Sequence, residues 1–117
     1  MARSICKSLI ENNEFNAKDL VSKFLQEFLK ENNRGYGGGM FQTFGEWQRN
    51  GASGDPFAPA REAFGGSGSY GNGAAMRVAP VALFAQSEED LIKVNGKVMF
   101  PLQFIKPYTI FIFTISV

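Results

Sequence analysis

Histidine is absent from the 117 residues, and cysteine occurs once, at Cys6. Without histidine there is no Ser-His-Asp triad. With a single cysteine as well, zinc sites of the Cys/His type are excluded. One cysteine cannot close a disulfide within the chain, which suits a reducing compartment. Cys6 falls in a helical pattern and reads as a small packing residue. Excess charge of one sign is also lacking. Lys+Arg total 12 against Asp+Glu 11, for a net charge of +1, and no basic cluster stands out. A general nucleic-acid or anionic-membrane surface, and so direct DNA binding, is not expected. Neither Asp-Asp nor Asp-x-Asp occurs. The acidic triplet Glu88-Glu89-Asp90 reads as the ordinary acidic start of a helix rather than a metal site. No carboxylate pair recommends itself as general acid and base. Long apolar runs are missing too. Residues 1–10 carry Arg3 and Lys7 and do not form a signal peptide. The apolar run 108–117 is too short to span a bilayer as a helix.

What is present is mostly helical periodicity. Met1, Ile5, Leu9 and Ile10 are spaced for a helix over residues 1–10, ended by Asn12-Asn13. Asn16 then reads as an N-cap, with Asp19 in a favourable acidic position. Leu20, Val21, Phe24, Leu25, Phe28 and Leu29 form a wide apolar stripe for a core-facing helix. After the glycines at 35 and 37–39, Met40, Phe41, Phe44 and Trp47 share a helical face. Those glycines read as a place of close helix packing in preference to a second ligand loop. Residues 48–59 carry turn chemistry, and Pro59 can open a short helix through Phe64. A further helix is expected from about 74 to 84, ended or kinked by Pro80. Ser87 and Asp90 resemble a capping box ahead of Leu91. Val94-Asn95-Gly96-Lys97 then signals a type I′ hairpin, and residues 109–117 suit a strand or an aggregation-prone segment.

The stretch that organises the chain is residues 65–77, where glycines at 65, 66, 68, 71 and 73 run into the helix-forming Ala74-Ala75-Met76-Arg77. Glycine lets a ligand approach the backbone closely. A helix start offers free N–H groups and a positive dipole end. Such a loop is a cradle for phosphate, or else a flexible surface loop. Gly66-Ser67-Gly68-Ser69-Tyr70-Gly71 fits G-x-G-x-x-G, but a helix rather than a strand precedes it, and no lysine stands in the P-loop position. Phe64, just before the loop, is either core or a surface on which a base or sugar ring stacks.

Several segments together resemble the ADP-ribosylglycohydrolases. They are Arg34-Gly35-Tyr36-Gly37, Pro59-Ala60-Arg61 with Phe64, and the long run from Gly68-Ser69-Tyr70-Gly71-Asn72-Gly73 through Ala79. The branch they are most similar to hydrolyses ADP-ribosylserine and poly(ADP-ribose). The resemblance implies an all-α fold, with residues 1–94 as a fragment of the family's domain and 95–117 as an unrelated tail, extended or disordered. It implies an active site with two Mg²⁺ ions that orient the distal ribose and an attacking water. Ser67, Gly68, Ser69, Tyr70, Gly71, Asn72 and Gly73 would cradle the diphosphate and adjoining ribose of ADP-ribose, and Phe64 would pack beside the ligand. Where Ser67 stands, the related branch commonly has lysine, so one ion pair to phosphate is absent.

Other parts of the family's pattern are missing. Its Thr-Asp-Asp metal motif would fall before Met1, and its C-terminal Asp-x-Asp has no counterpart. The expectation is therefore an internal fragment with the metal-binding carboxylates absent, inactive alone, its tail read from an intron or out of frame. The resemblance further implies ADP-ribosylated proteins and poly(ADP-ribose) as partners, a monomer, and a place in the nucleus, cytoplasm and mitochondrial matrix.

Overall fold

The computed structural model describes residues 1–99 apart from 52, 68–72, 74 and 78. Six α-helices carry the fold: α1 (Ala2–Asn12), α2 (Ala17–Lys30), α3 (Gly38–Asn50), α4 (Ala58–Glu62), α5 (Ala79–Phe84) and α6 (Glu88–Met99). Two single 3₁₀ turns, Ala63–Gly66 and Ala75–Arg77, lie between α4 and α5. No strand occurs among the described residues, so the all-α expectation holds. The expected tail, 100–117, lies outside them.

The core is one cluster. Ile5 and Leu9 of α1 meet Leu20, Val21, Phe24 and Phe28 of α2, Met40, Phe44 and Trp47 of α3, Val81 of α5 and Val94 of α6. Its centre is aromatic. Phe28 stacks on Phe44 at 4.2 Å with the rings 15° apart, and Trp47 meets Phe44 edge-on at 5.4 Å. Trp47 also donates its indole N–H to the Pro56 carbonyl at 3.0 Å, which satisfies the one polar atom of a buried ring. The α2 stripe lies as the spacing predicts, except that Leu29 at its edge is exposed.

A polar network joins α1 to α2. Asn13 ends α1 in the left-handed conformation, at φ 54°, which asparagine tolerates better than most residues. Asn16 caps α2, its side-chain oxygen accepting the Asp19 N–H at 3.1 Å. The Asp19 carboxylate accepts from the Ser8 hydroxyl at 2.5 Å, the Asn12 amide at 2.8 Å and the Lys23 ammonium at 2.5 Å. Burial pushes the Asp19 carboxyl up, but the bonds from Lys23, Ser8 and Asn12 outweigh it and hold it below its ordinary value.

Three expectations are corrected. Cys6 is exposed rather than packed, because α1 turns Ser4, Ile5, Ser8 and Leu9 inward. Asp19 gives the inward Ser8 a partner, so a serine edge is tolerated and Ile10 is left outside. The expected 74–84 helix is interrupted between Arg77 and Ala79; α5 begins afresh with Pro80 in its first turn, where the missing N–H costs no hydrogen bond. The Asn95-Gly96 hairpin does not form, since α6 runs through it. Ser87 accepts the Asp90 N–H at 3.1 Å, the first turn is acidic, and Val94 is buried. Cap, dipole and burial together override a two-residue turn signal.

Candidate functional site

The site is built from the end of α4 and the turn that follows it. Pro59 opens α4 in its first turn. Asp55 sets the approach: one oxygen accepts the Phe57 N–H at 2.9 Å, and the other pairs with the Arg61 guanidinium. The Phe57 N–H first, and Arg61 next, hold the Asp55 carboxyl below its ordinary value. Ala60 and Ala63 are buried, and both α4 and the following turn pack against α3.

The backbone then does something unusual. Phe64, Gly65 and Gly66 have φ of 58°, 64° and 75° in succession. Glycine takes this region freely, whereas a side chain there costs roughly 1–2 kcal/mol. Ser67 closes the turn, donating both its N–H (3.2 Å) and its hydroxyl (2.7 Å) to the Phe64 carbonyl.

The Phe64 ring has a seat. A Cβ added at Gly39, in the first turn of α3, would lie 2.2 Å from its Cζ and 2.7 Å from its Cε2. The ring therefore abuts bare backbone on one side, while 51% of the residue stays open to solvent. Close packing at the 37–39 glycines is thus present, but against Phe64 rather than another helix. Phe64 itself is neither plain core nor loose surface. Of the other residues singled out in the sequence, Ser67 is exposed and Gly73 is half-buried in a turn. Gly68, Ser69, Tyr70, Gly71 and Asn72 lie outside the described residues.

The sequence model of the ADP-ribosylglycohydrolase family matches residues 1–98. The chain belongs to the ADP-ribosylglycohydrolase family. It is 46% identical over 93 residues to ADP-ribosylhydrolase ARH3 of Xenopus tropicalis, which covers 80% of this chain and 26% of the relative. It is 43% identical to the Homo sapiens ADP-ribosylhydrolase ARH3 and 42% to that of Gallus gallus, each over 80% of this chain and 25% of the relative. The chain thus spans about a quarter of the length of the relatives it matches.

The ADP-ribosylglycohydrolase resemblance implies two Mg²⁺ ions, and the described residues do not fit them. No group of three or more His, Cys, Asp or Glu side chains among them could hold a metal. In the acidic triplet of α6, Asp90 faces back to accept the Gln86 N–H at 3.3 Å, which is capping geometry. Two residues of note carried no usable sequence signal. Gly39 is the seat of Phe64. Arg77, in the second 3₁₀ turn, is buried, and its burial pushes the guanidinium down to about 10, opposed by Tyr36.

Proposed function

We propose that this chain carries the ADP-ribose-binding part of an ADP-ribosylhydrolase. The observation that bears most weight is the seated, half-open Phe64 ring at the mouth of a glycine turn. In this reading the open side of the ring packs beside the ligand. Ser67, Gly68, Ser69, Tyr70, Gly71, Asn72 and Gly73 wrap the diphosphate and adjoining ribose through backbone N–H groups and hydroxyls. Ser67 gives its hydroxyl proton to the Phe64 carbonyl, so its oxygen retains only acceptor capacity in this conformation. Phosphate then relies on N–H groups more than on the Ser67 side chain.

The whole-protein reaction in this proposal is hydrolysis of the O-glycosidic bond at the ribose anomeric carbon of ADP-ribosylserine, poly(ADP-ribose) and related conjugates. Mg²⁺ dependence, a monomeric state and the nuclear, cytoplasmic and mitochondrial settings belong to the same proposal. The chain alone binds without turning over, because its described carboxylates offer no metal seat. No helix among the described residues is long and apolar enough to cross a membrane.

Calorimetry of the 117-residue chain with ADP-ribose, with and without Mg²⁺, tests this. Binding that ignores Mg²⁺ is expected, and no binding in either condition refutes the binding role. Release of ADP-ribose from an ADP-ribosylserine peptide by the purified chain would overturn the inactivity.

A further inference from the structure

A cluster of cations away from the glycine turn carries a second inference. Arg77 is 7% exposed, and its Nε has no hydrogen-bond partner. No carboxylate among the described residues pairs with it. The turn that bears it packs against α1. The first turn of α1 has no capping side chain. The ladder's first bond is Ile5 N–H to the Met1 carbonyl, at 3.0 Å. The N–H groups of Ala2, Arg3 and Ser4 therefore have no partner within the helix. The Met1 ammonium lies within reach of these charges. Burial lowers it most, Glu27 raises it, and Arg77 and Arg34 lower it further. Glu27, the carboxylate felt there, is already engaged by Arg34 at 3.2 Å. Donors and cations thus converge around Arg77 without a free acceptor.

We propose that Arg77 and the first turn of α1 form a binding site for one oxyanion, a carboxylate or a phosphate. A guanidinium presents a rigid fork that matches either group with two parallel hydrogen bonds. Free N–H groups at a helix start, with the positive dipole end, complete such a site. The site uses none of the residues assigned to ADP-ribose, so it stands or falls separately from that reading. It also accounts for a buried cation that is otherwise uncompensated, a costly arrangement.

Nitrogen–proton NMR of the full chain reads the site directly through the Arg77 Nε–H and the amides of residues 2–4. Inorganic phosphate, acetate and ADP-ribose are titrated in separate arms. Saturable shifts of all these signals at one shared midpoint are expected with phosphate or acetate. Phosphate at ten times its midpoint should raise the folding equilibrium constant about tenfold. Arg77→Met abolishes the response, and Arg77→Lys weakens it about tenfold while keeping the charge. The tighter of phosphate and acetate identifies the oxyanion class. ADP-ribose moving the same signals at a lower midpoint assigns the oxyanion to a nucleotide diphosphate. Shifts that stay linear in concentration, or that persist unchanged in Arg77→Lys and Arg77→Met, overturn the proposal.

Discussion

Gly39→Ala is the sharpest perturbation of the candidate site. The new methyl would sit 2.2 Å from Phe64 Cζ, so the ring must retreat by about 1.3 Å to reach an ordinary carbon–carbon contact of ~3.5 Å. The α3 backbone offers no relief, because Gly39 lies in a helical turn whose carbonyl already accepts the Thr43 hydroxyl at 3.1 Å. Phe64 is the side that moves. It sits in a left-handed conformation disfavoured by roughly 1–2 kcal/mol, so loss of its seat also releases the backbone that aims it. Meanwhile alanine improves the helix by up to about 1 kcal/mol relative to glycine. The two effects oppose each other in stability and act alone in binding.

The expected result is therefore a split. The melting temperature of Gly39→Ala stays near that of the wild type or rises. ADP-ribose affinity falls about tenfold, equivalent to ~1.4 kcal/mol. In a Phe64→Ala background the same Gly39→Ala change has no further effect on affinity, since there is no ring left to displace. Calorimetry on the four proteins of this cycle gives the answer. Full additivity of the two losses would refute the seat. The Gly39 Hα resonance supplies a ligand-free check: ring-current shifted in the wild type, it returns to an ordinary position in Phe64→Ala.

The other predictions concern the scaffold. Asp19→Ala removes the acceptor shared by Ser8, Asn12 and Lys23 and should cost about 1–3 kcal/mol in urea unfolding. The Asp19 carboxyl is held below its ordinary value of 3.8, so its contribution is present above that pH and is lost as pH falls through the lower folded value. Asp19→Ala should accordingly lose less stability than the wild type over that acid range, a comparison made by melting both across pH. Gly96→Ala should stabilise α6, which contains it, by about 0.5–1 kcal/mol. A hairpin turn at Asn95-Gly96 would instead be destabilised, because its central residues need positive φ; thermal melts decide.

Much of the fold was legible because its signals were redundant. For α2, the Asn16 cap, the acidic first turn and the apolar stripe agree, and the helix is where they put it. For α6, Asn95-Gly96 was a strong local signal opposed by a cap and an acidic turn upstream. The burial of Val94 settled the conflict in favour of helix, and burial is a tertiary fact that local patterning does not contain. The inward side of α1 was hidden for a related reason. Ser4 and Ser8 look like surface residues until Asp19, on another helix, supplies the acceptor for Ser8. At the site, the glycines and Phe64 announced a ligand loop and a stacking ring as alternatives. No periodicity could reveal that Phe64 adopts positive φ, or that its ring lands on Gly39, because that contact depends on how α3 and α4 meet.

That meeting explains why an unfavourable backbone survives at Phe64. A residue keeps a disfavoured conformation only when its surroundings over-determine it. Here α3 and α4 form a bracket around the strained turn. Trp47 holds the Pro56 carbonyl at 3.0 Å, Asp55 gathers the Phe57 N–H and Arg61, and Ala60 and Ala63 are buried in the packing against α3. The far end of the bracket is the Gly39 backbone against the Phe64 ring. The two glycine clusters, separate in sequence, thus serve one device. The first supplies a surface without a Cβ. The second supplies a chain that can stay left-handed through Gly65 and Gly66 once Phe64 has turned. Neither cluster would aim the ring without the other.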